Sequence, residues 1–133
     1  MKCLLVAVLY VSAIAAAAEG AEKTDPWLGT WANVDPDTRG TTRFVISQGK
    51  NGRKIHVWGR CHPQDCDWGE TSLVSIDSGA PRQFVIWDKK FVDVYLTLRL
   101  ENEEIALDNI SIYKDGSGRR NFCMQYRFKR SEE

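Results

Sequence analysis

The residues best suited to chemistry lie together in one short stretch, GRCHPQDCDWGE at positions 59–70. Cys61 and Cys66 are separated by four residues, and His62 and Asp65 lie between them. Thiolates, imidazoles and carboxylates bind metal ions, and a thiolate activated by a histidine is a nucleophile. The same spacing also suits a disulfide that closes a small loop. Three kinds of site therefore have to be compared: a metal centre, a reactive thiol and a stapled loop.

A disulfide between Cys61 and Cys66 is the interpretation that the sequence favours. Zinc sites use four ligands, and a C-x4-C pair with one adjacent histidine is incomplete unless His56 folds back to join it. Thioredoxin-like redox sites need a C-x-x-C pair at the start of a helix, and this spacing differs. In an oxidising compartment neighbouring cysteines pair. A bridge from either loop cysteine to Cys123 is the weaker alternative, and no metal site is predicted.

The sequence contains few groups that could form a catalytic site. His56 and His62 are its two histidines, and a Cys61 that is oxidised cannot act as a nucleophile beside His62. Nucleophile-elbow, phosphate-loop and H-E-x-x-H motifs are missing from the sequence. We therefore predict a protein that is not an enzyme and that needs no cofactor.

The amino-terminal residues predict export. The stretch MKCLLVAVLYVSAIAAAAEG has one basic residue, an apolar run and then small residues up to Ala18. This is the pattern of a secretory signal peptide with an A-x-A cleavage site. We predict a signal peptide over residues 1–18, a flexible arm over 19–26 and a β-barrel domain over 27–130. The expected location is secreted or periplasmic, with no membrane attachment after cleavage.

The charge balance argues against a nucleic-acid partner. Lys and Arg total 18, Asp and Glu total 18, and the formal net charge is zero. Nucleic-acid binders usually carry a basic patch, whereas the basic residues near the carboxyl terminus form short runs between apolar residues. The partners that remain are a small molecule or carbohydrate, or another protein.

Short apolar runs alternate with turn signals about every 8–12 residues from Trp27 onward, which is typical of an all-β barrel or sandwich. The candidate strands are 28–33, 41–48, 54–59, 70–77, 82–88, 91–100, 104–113 and 121–129. Strands joined by short hairpins can close on themselves and leave no free edge. The prediction is therefore an eight-stranded antiparallel up-and-down barrel.

Alternation along the strands predicts which residues face the interior. The strand at 91–100 places five aliphatic residues on one face: Val92, Val94, Leu96, Leu98 and Leu100. In the strand at 104–113 the apolar phase changes, which predicts a β-bulge near Asp108 and Asn109. In the last strand Cys123 has the phase that points away from the interior.

The segment GTWAN, which begins at Gly29, opens the first predicted strand with a G-x-W motif followed by an asparagine. It resembles the first strand of calycin-type barrels, the lipocalins and avidins, and CHPQDCDWG is similar to a signature of small uncharacterised secreted proteins of bacteria. The resemblance implies a lipocalin- or avidin-like barrel in which Gly29, Trp31 and Asn33 are structural. In lipocalins an arginine of the last strand covers this tryptophan. The resemblance implies that role for Arg127 or Arg130, through cation–π stacking.

Tryptophans near the cysteine loop indicate where a ligand would bind. Trp58 and Trp68 bracket the loop, and their aromatic faces suit a flat apolar ligand or a sugar ring. With His62 and Asp65 as hydrogen-bonding groups, they form the predicted ligand-binding site at the mouth of the barrel. The alternative function is a protein-binding module, such as a secreted enzyme inhibitor, that uses the stapled 61–66 loop. An empty interior favours the first function, and a filled interior with a rigid loop favours the second.

Overall fold

Nine β-strands and no helix are present in the residues that the computed structural model describes, 24–76 and 82–132. The strands are β1 (Gly29–Asn33), β2 (Thr41–Gly49), β3 (Gly52–Gly59), β4 (Cys66–Ser72), β5 (Val74–Ser75), β6 (Arg82–Lys89), β7 (Val92–Glu101), β8 (Glu104–Tyr113) and β9 (Phe122–Ser131). The all-β prediction is confirmed, whereas the predicted count of eight strands is wrong. Within these residues no helix is long and apolar enough to span a membrane. The predicted signal peptide, 1–18, and residues 19–23 of the predicted arm lie outside the described residues.

The strands form one antiparallel sheet that closes almost completely. Its order is β4-β3-β2-β1-β9-β8-β7-β6-β5, so that the first strand pairs with the last. β4 and β5 stand at the two ends of this order, yet they are consecutive in the chain and separated only by Leu73. One bent segment thereby joins both edges, and the sheet becomes a nearly closed barrel.

The ninth strand arises because the predicted strand 70–77 changes partners at Leu73. Before this residue the chain pairs with β3, and after it Val74 pairs with Phe84 of β6. The Leu73 side chain is buried, and its N–H donates to the carbonyl oxygen of Arg53 at 2.9 Å. One straight strand cannot follow two neighbours that are not themselves paired, so the segment bends and divides in two.

A contiguous cluster of apolar side chains fills the barrel. Its large, fully buried members include Trp31, Phe44, Phe128, Ile46, Ile55, Leu96, Leu98, Ile105 and Leu107. The inward phase predicted for β7 is confirmed by its buried residues, which are Val92, Val94, Leu96 and Leu98. Burying a side chain of this kind contributes roughly 1.5–3 kcal/mol, so the cluster supplies the main driving force for folding.

Inward and outward positions alternate without interruption along the whole of strand β8, so the bulge predicted near Asp108 and Asn109 is wrong. It pairs with β7 without a register shift. Asn109 and Ser111 face inward and are buried, and the Ser111 hydroxyl donates to Asn109 Oδ1 at 3.0 Å. Ile110 and Ile112 consequently face outward. This hydrogen bond between the two polar side chains lowers the cost of burying them.

One end of the barrel is closed around Trp31. Its indole N–H donates to the carbonyl oxygen of Trp27 at 3.0 Å, and the guanidinium carbon of Arg130 lies 4.5 Å from its ring centroid. Arg130 also donates hydrogen bonds to the carbonyl oxygens of Leu28 and Pro26. The arginine cover that the first-strand motif implies is therefore present, and Arg130 supplies it.

Arg127 does not cover Trp31, which corrects the role that the resemblance implied for it. Side chains alternate along a strand, so Arg127 has the phase opposite to Arg130 and lies on the outer face of β9. There its guanidinium forms ion pairs with Glu101 at 3.1 Å and Glu104 at 3.4 Å.

Gly29 and Asn33 occupy structural positions at the two ends of β1. Gly29 has a φ of +132°, and a Cβ there would overlap the guanidinium of Arg130. Asn33 Nδ2 donates to the carbonyl oxygen of Thr41 at 2.8 Å, and its Oδ1 accepts the N–H of Asp35 at 2.9 Å. Asn33 thus ties the end of β1 to the start of β2 and shapes the loop between them.

Candidate functional site

The cysteine loop is closed by a disulfide between Cys61 and Cys66, whose Cα atoms are 5.4 Å apart. Cys123 lies outside this bond and is exposed, as its outward phase in β9 predicts. Neither loop sulfur is a free thiolate, so neither can bind a metal ion or act as a nucleophile. Across 24–76 and 82–132, no three His, Cys, Asp or Glu side chains lie close enough together to hold a metal ion. The disulfide acts as a staple.

Arg60, the residue before the staple, ties the cysteine loop to the loop between β1 and β2. Its N–H donates to the carbonyl oxygen of Gly40 at 2.8 Å. Its guanidinium donates to the carbonyl oxygens of Thr38 at 3.1 Å and Pro36 at 2.7 Å. Three hydrogen bonds from one residue therefore hold the two loops in a fixed relation.

We name these two loops, residues 34–40 and 60–65, the two-loop platform. The platform lies at the end of the barrel opposite to the end that Arg130 covers. Thr42 Oγ1 donates to Asp65 Oδ2 at 2.5 Å, which adds a tie between β2 and the cysteine loop. A surface that is ordered before binding loses less conformational entropy when a partner arrives.

Aspartates at alternate positions shape the first platform loop. Asn33 Oδ1 accepts the N–H of Asp35, and Asp35 Oδ1 accepts the N–H of Asp37, both at 2.9 Å. The hydroxyl of Thr38 accepts the N–H of Gly40 in the same way at 3.3 Å. A side chain that accepts the N–H two residues further on makes a tight turn. The sequence NVDPDTRG therefore folds into consecutive turns.

Trp58 lies on the outer surface of the barrel and not at its mouth. It is the register partner of Arg43, whose guanidinium carbon lies 4.0 Å from the ring centroid. The ring of His56 stacks on its indole at a centroid distance of 4.0 Å. The adjacent Val57 is fully buried, and because side chains alternate along β3, Trp58 points away from the core.

Trp68 packs against the core instead, so the two predicted tryptophans do not meet. The pairing of β4 with β3 shifts register at this point, which leaves Trp68 as the extra residue of a β-bulge. Its ring meets Trp87 edge-on at 6.3 Å, and Lys89 Nζ donates to its carbonyl oxygen at 3.1 Å. These contacts bridge β4 and β6 near the platform end of the barrel.

His62 and Asp65 have different environments, although both lie on the platform. His62 is exposed, and with Arg39 and Arg60 it lines a shallow depression of about 230 Å³. Asp65 is half-buried and accepts the hydrogen bond from Thr42, and its carboxylate lies 4.0 Å from the Arg60 guanidinium. Asp65 therefore stabilises the loop, whereas His62 is presented to solvent.

Asp67 lies beside the staple on the outer surface. Its Oδ1 accepts the N–H of Gly69 at 2.7 Å and lies 2.5 Å from His56 Nε2. The hydrogen bond from Gly69, followed by the one from His56, lowers the pKa of Asp67 below its usual value. His56 therefore supports the charged form of Asp67 while its ring stacks on Trp58.

His56→Ala is expected to raise the pKa of Asp67 towards its ordinary value without reaching it, because the Gly69 N–H remains. A carboxyl whose pKa is lowered by folding stabilises the fold above its unfolded pKa, and this contribution disappears as the pH falls through the folded pKa. An NMR titration of carboxyl carbons measures the shift. Asp115, whose pKa is lowered to about 2 by hydrogen bonds led by that from Ser117, is the internal control. An unchanged pKa of Asp67 would contradict the contact with His56.

A lateral cleft of about 830 Å³ opens beside the platform. It exists because β1 ends at Asn33 while β9 extends to Phe122. The last hydrogen bond between this part of the chain and β9 runs from the N–H of Val34 to the carbonyl oxygen of Arg127, at 2.9 Å. Beyond that bond β9 pairs with β8 alone within the part of the chain that the structure describes. A free strand edge therefore borders the cleft.

The cleft combines apolar and charged side chains. Phe122 and Met124 are 38% and 48% exposed although they have the inward phase of β9, and Tyr126 lies below them. The charged groups come from strands β7 to β9 and from the first platform loop: Arg99, Asp108, Arg127, Asp35, Asp37 and Arg39. The arrangement can hold an extended or flat molecule against an apolar wall and offer it both a hydrogen-bond donor and an acceptor.

Sequence reasoning predicts neither the Arg60 clamp nor the cleft. The position of Arg60 directly before the first cysteine is the one signal of its role, and it does not indicate which carbonyl oxygens the side chain meets. The cleft follows from a first strand of 5 residues beside a last strand of 10. The candidate strands 28–33 and 121–129 already differ in length, and this mismatch is a signal that could locate the cleft.

The fold and the site together define a class of protein. It is a small antiparallel β-barrel with a nearly closed sheet, a packed core and a disulfide-stapled loop at one end. Comparison of the chain with protein-family models, with curated proteins and with solved structures finds no match.

Proposed function

We propose that the protein is a secreted, non-enzymatic binding module that contacts another protein through the two-loop platform. The observation that carries this proposal is the set of three hydrogen bonds by which Arg60 fixes the two loops. The Cys61–Cys66 disulfide restrains one of them further. A contact surface that is already ordered keeps more of its interaction energy as affinity. Secretion agrees with the disulfide, since disulfides persist in oxidising compartments.

The proposed architecture is that of a lipocalin- or avidin-like barrel. Support comes from Trp31 of the first strand lying under Arg130 of the last strand, and from the pairing of those two strands. The proposal concerns architecture alone, because one fold serves many functions.

Packing of the interior favours a protein partner over a small molecule held inside the barrel. Phe44 lies between Trp31 and Phe128, with ring centroids 6.4 Å and 4.7 Å apart. Towards the platform end, Trp68 and Trp87 pack against the same core. Five aromatic rings thus occupy space that a small ligand inside the barrel would need.

The exposed groups of the platform suit a protein surface. His62, Pro63 and Gln64 are exposed on the stapled loop, and Asp37 and Arg39 are exposed on the other loop. The set offers hydrogen-bond donors and acceptors and charges of both signs, with no excess of basic groups. Mixed polar groups of this kind are typical of the rims of protein–protein interfaces.

Binding of a small molecule or carbohydrate in the lateral cleft is the second candidate, and the size of the cleft favours it. Its volume of about 830 Å³ falls within the roughly 300–1,000 Å³ that is typical of ligand pockets. Phe122 and Tyr126 supply aromatic surface, and Asp108 supplies a hydrogen-bond acceptor. Trp58 and Trp68, the pair expected from sequence to hold a sugar, do not line it.

An affinity experiment with the exported protein separates the two candidates. Wild type is immobilised through its amino terminus, proteins retained from the surrounding secreted fraction are identified, and each is then titrated calorimetrically. Gln64→Arg and His62→Glu change exposed side chains of the stapled loop that do not line the cleft, and both are expected to raise Kd about 10-fold or more. Glu103→Arg changes an exposed turn at the opposite end of the barrel and is the matched control, expected to leave Kd unchanged.

Two outcomes would contradict the protein-partner proposal. The first is a retained protein that binds both platform variants as tightly as wild type. The second is a small apolar ligand or sugar whose saturable fluorescence signal disappears in Met124→Arg and persists in both platform variants. The second outcome would establish the cleft as the binding site.

A further inference from the structure

The outer surface of β6–β9 carries a row of side chains that the core does not use. Its members, each paired in register with the next across four strands, are Ile86, Tyr95, Ile110 and Cys123. Residues paired directly in neighbouring strands point to the same face of a sheet. The four side chains therefore form one continuous line on the outside of the barrel.

Neighbouring side chains widen this row into a face. Val74 and Phe84 pair with each other on one side of the row, and Ile112 follows on the other. Val74 and Ile86 are each 57% exposed, and Ile112 is 40% exposed. We name the seven residues the outer apolar face: Val74, Phe84, Ile86, Tyr95, Ile110, Ile112 and Cys123.

The size of the outer apolar face is that of a functional contact patch. Its exposed apolar area is on the order of 500 Å², at the upper end of the largest patches that monomeric proteins carry. With a polar rim it approaches the roughly 800 Å² that each partner buries in a standard protein–protein interface. Single exposed apolar residues are ordinary, whereas a registered row of them across four strands is not.

Charged groups at both borders of the face are already paired within the chain. At one border Lys114 Nζ donates to Asp88 at 2.5 Å and to Asp93 at 2.7 Å, and at the other border Thr97 Oγ1 donates to Asp108 Oδ2 at 3.1 Å. The face therefore does not select a partner of opposite charge. The formal net charge of the chain is zero, so two copies do not repel one another at long range.

The described part of the amino-terminal arm does not cover this face. Asp25 pairs with Arg53 of β3 at 2.6 Å, and the carbonyl oxygen of Pro26 accepts a hydrogen bond from Arg130 at 2.7 Å. β3 is separated from β7 by four strands in the sheet order. Residues 24–26 therefore do not occupy the face.

We propose that a second copy of this chain covers the outer apolar face, so that the protein is a symmetric dimer. Two sheets packed face to face lie about 10 Å apart with their strands inclined by about 30°. At that distance Ile86 and Ile110 of one copy interdigitate with the same residues of the other, since an isologous contact uses one patch twice. The staple lies between β3 and β4, outside this face, so the dimer presents two platforms and is bivalent.

Size-exclusion chromatography with light scattering tests the proposal on the exported protein carrying Cys123→Ser, which excludes random oxidation. The expected molar mass is twice that of one chain. Ile86→Lys and Ile110→Lys place a charge in the centre of the contact and are each expected to give the mass of one chain. Val34→Lys changes an apolar residue that is 43% exposed outside the face, and this control is expected to stay dimeric. Circular dichroism verifies the β-sheet signal of every variant.

A one-chain mass for the Cys123→Ser protein and for wild type at roughly 100 µM would overturn the proposal. A dimeric mass retained by both lysine variants would also overturn it, because the contact would then lie elsewhere. If a lysine variant loses its β-sheet signal, Ile86→Ser combined with Ile112→Ser replaces it and is expected to weaken dimerisation about 10-fold or more. An unchanged dimerisation constant in that variant would equally count against the proposed face.

Discussion

Trp31→Ala is expected to lower the free energy of unfolding by about 3–5 kcal/mol, the usual cost of deleting a large buried aromatic side chain. Trp31 is 1% exposed, packs against Phe44 and lies under Arg130. Its removal leaves a cavity where the first and last strands meet and takes the indole N–H away from the carbonyl oxygen of Trp27. Small domains have total stabilities of about 5–15 kcal/mol, so the variant is expected to be close to unfolding.

Trp58→Ala makes the same chemical change outside the core and is the matched control. Trp58 stacks on His56 and against Arg43 on the outer surface, and its removal is expected to cost about 1 kcal/mol. Urea unfolding followed by circular dichroism measures both variants. Equal losses for Trp31→Ala and Trp58→Ala would contradict the placement of one ring inside the barrel and the other outside.

Removal of the staple by Cys61→Ala together with Cys66→Ala is expected to lower the free energy of unfolding by about 2 kcal/mol, the entropy of closing so short a loop. A second effect is expected on the platform. Arg60 directly precedes the loop, and its bonds to Thr38 and Pro36 hold only while the loop stays in place. The loss of the disulfide should therefore mobilise both platform loops and not only the one that contains it.

Hydrogen exchange and urea unfolding measure these two effects separately. Amide exchange at 36–40 and 60–65 is expected to accelerate more than exchange in β7 and β8, where amides report global stability. Cys123→Ala removes an exposed thiol outside the disulfide and is expected to change stability by less than about 0.5 kcal/mol. Unchanged exchange at 36–40 after loss of the disulfide would show that Arg60 holds that loop without help from the staple.

The fold was predictable from the sequence as far as local patterns reach. The alternation of Val92 to Leu98 places β7 correctly because a strand with one buried face must repeat every two residues. The same rule fails in β8, where Asn109 and Ser111 occupy inward positions. A polar residue at an inward position is acceptable only when it finds a hydrogen-bonding partner there, and the apolar pattern carries no information about that partner.

The candidate site was predictable only in part. The Cys61–Cys66 bond follows from short spacing, because two cysteines in one tight loop have few other partners. Trp58 and Trp68 do not meet at the predicted ligand site because the bulge in β4 decides which way the side chain of Trp68 points. The alternation of apolar and polar residues in the sequence does not reveal this bulge. Arg60 was missed because its three acceptors are backbone carbonyl oxygens, which every residue carries.

The sequence by itself determined the all-β class, the inward phase of β7 and the staple, because each depends on residues that are neighbours along the chain. The tertiary structure alone decided the division of strand 70–77, the cover of Trp31 by Arg130, the clamp made by Arg60, the cleft and the outer apolar face. These features depend on which strands become neighbours in space and on where one strand ends beside another. Burial and hydrogen bonding of the complete barrel select that arrangement, and no single segment contains enough of those contacts to specify it.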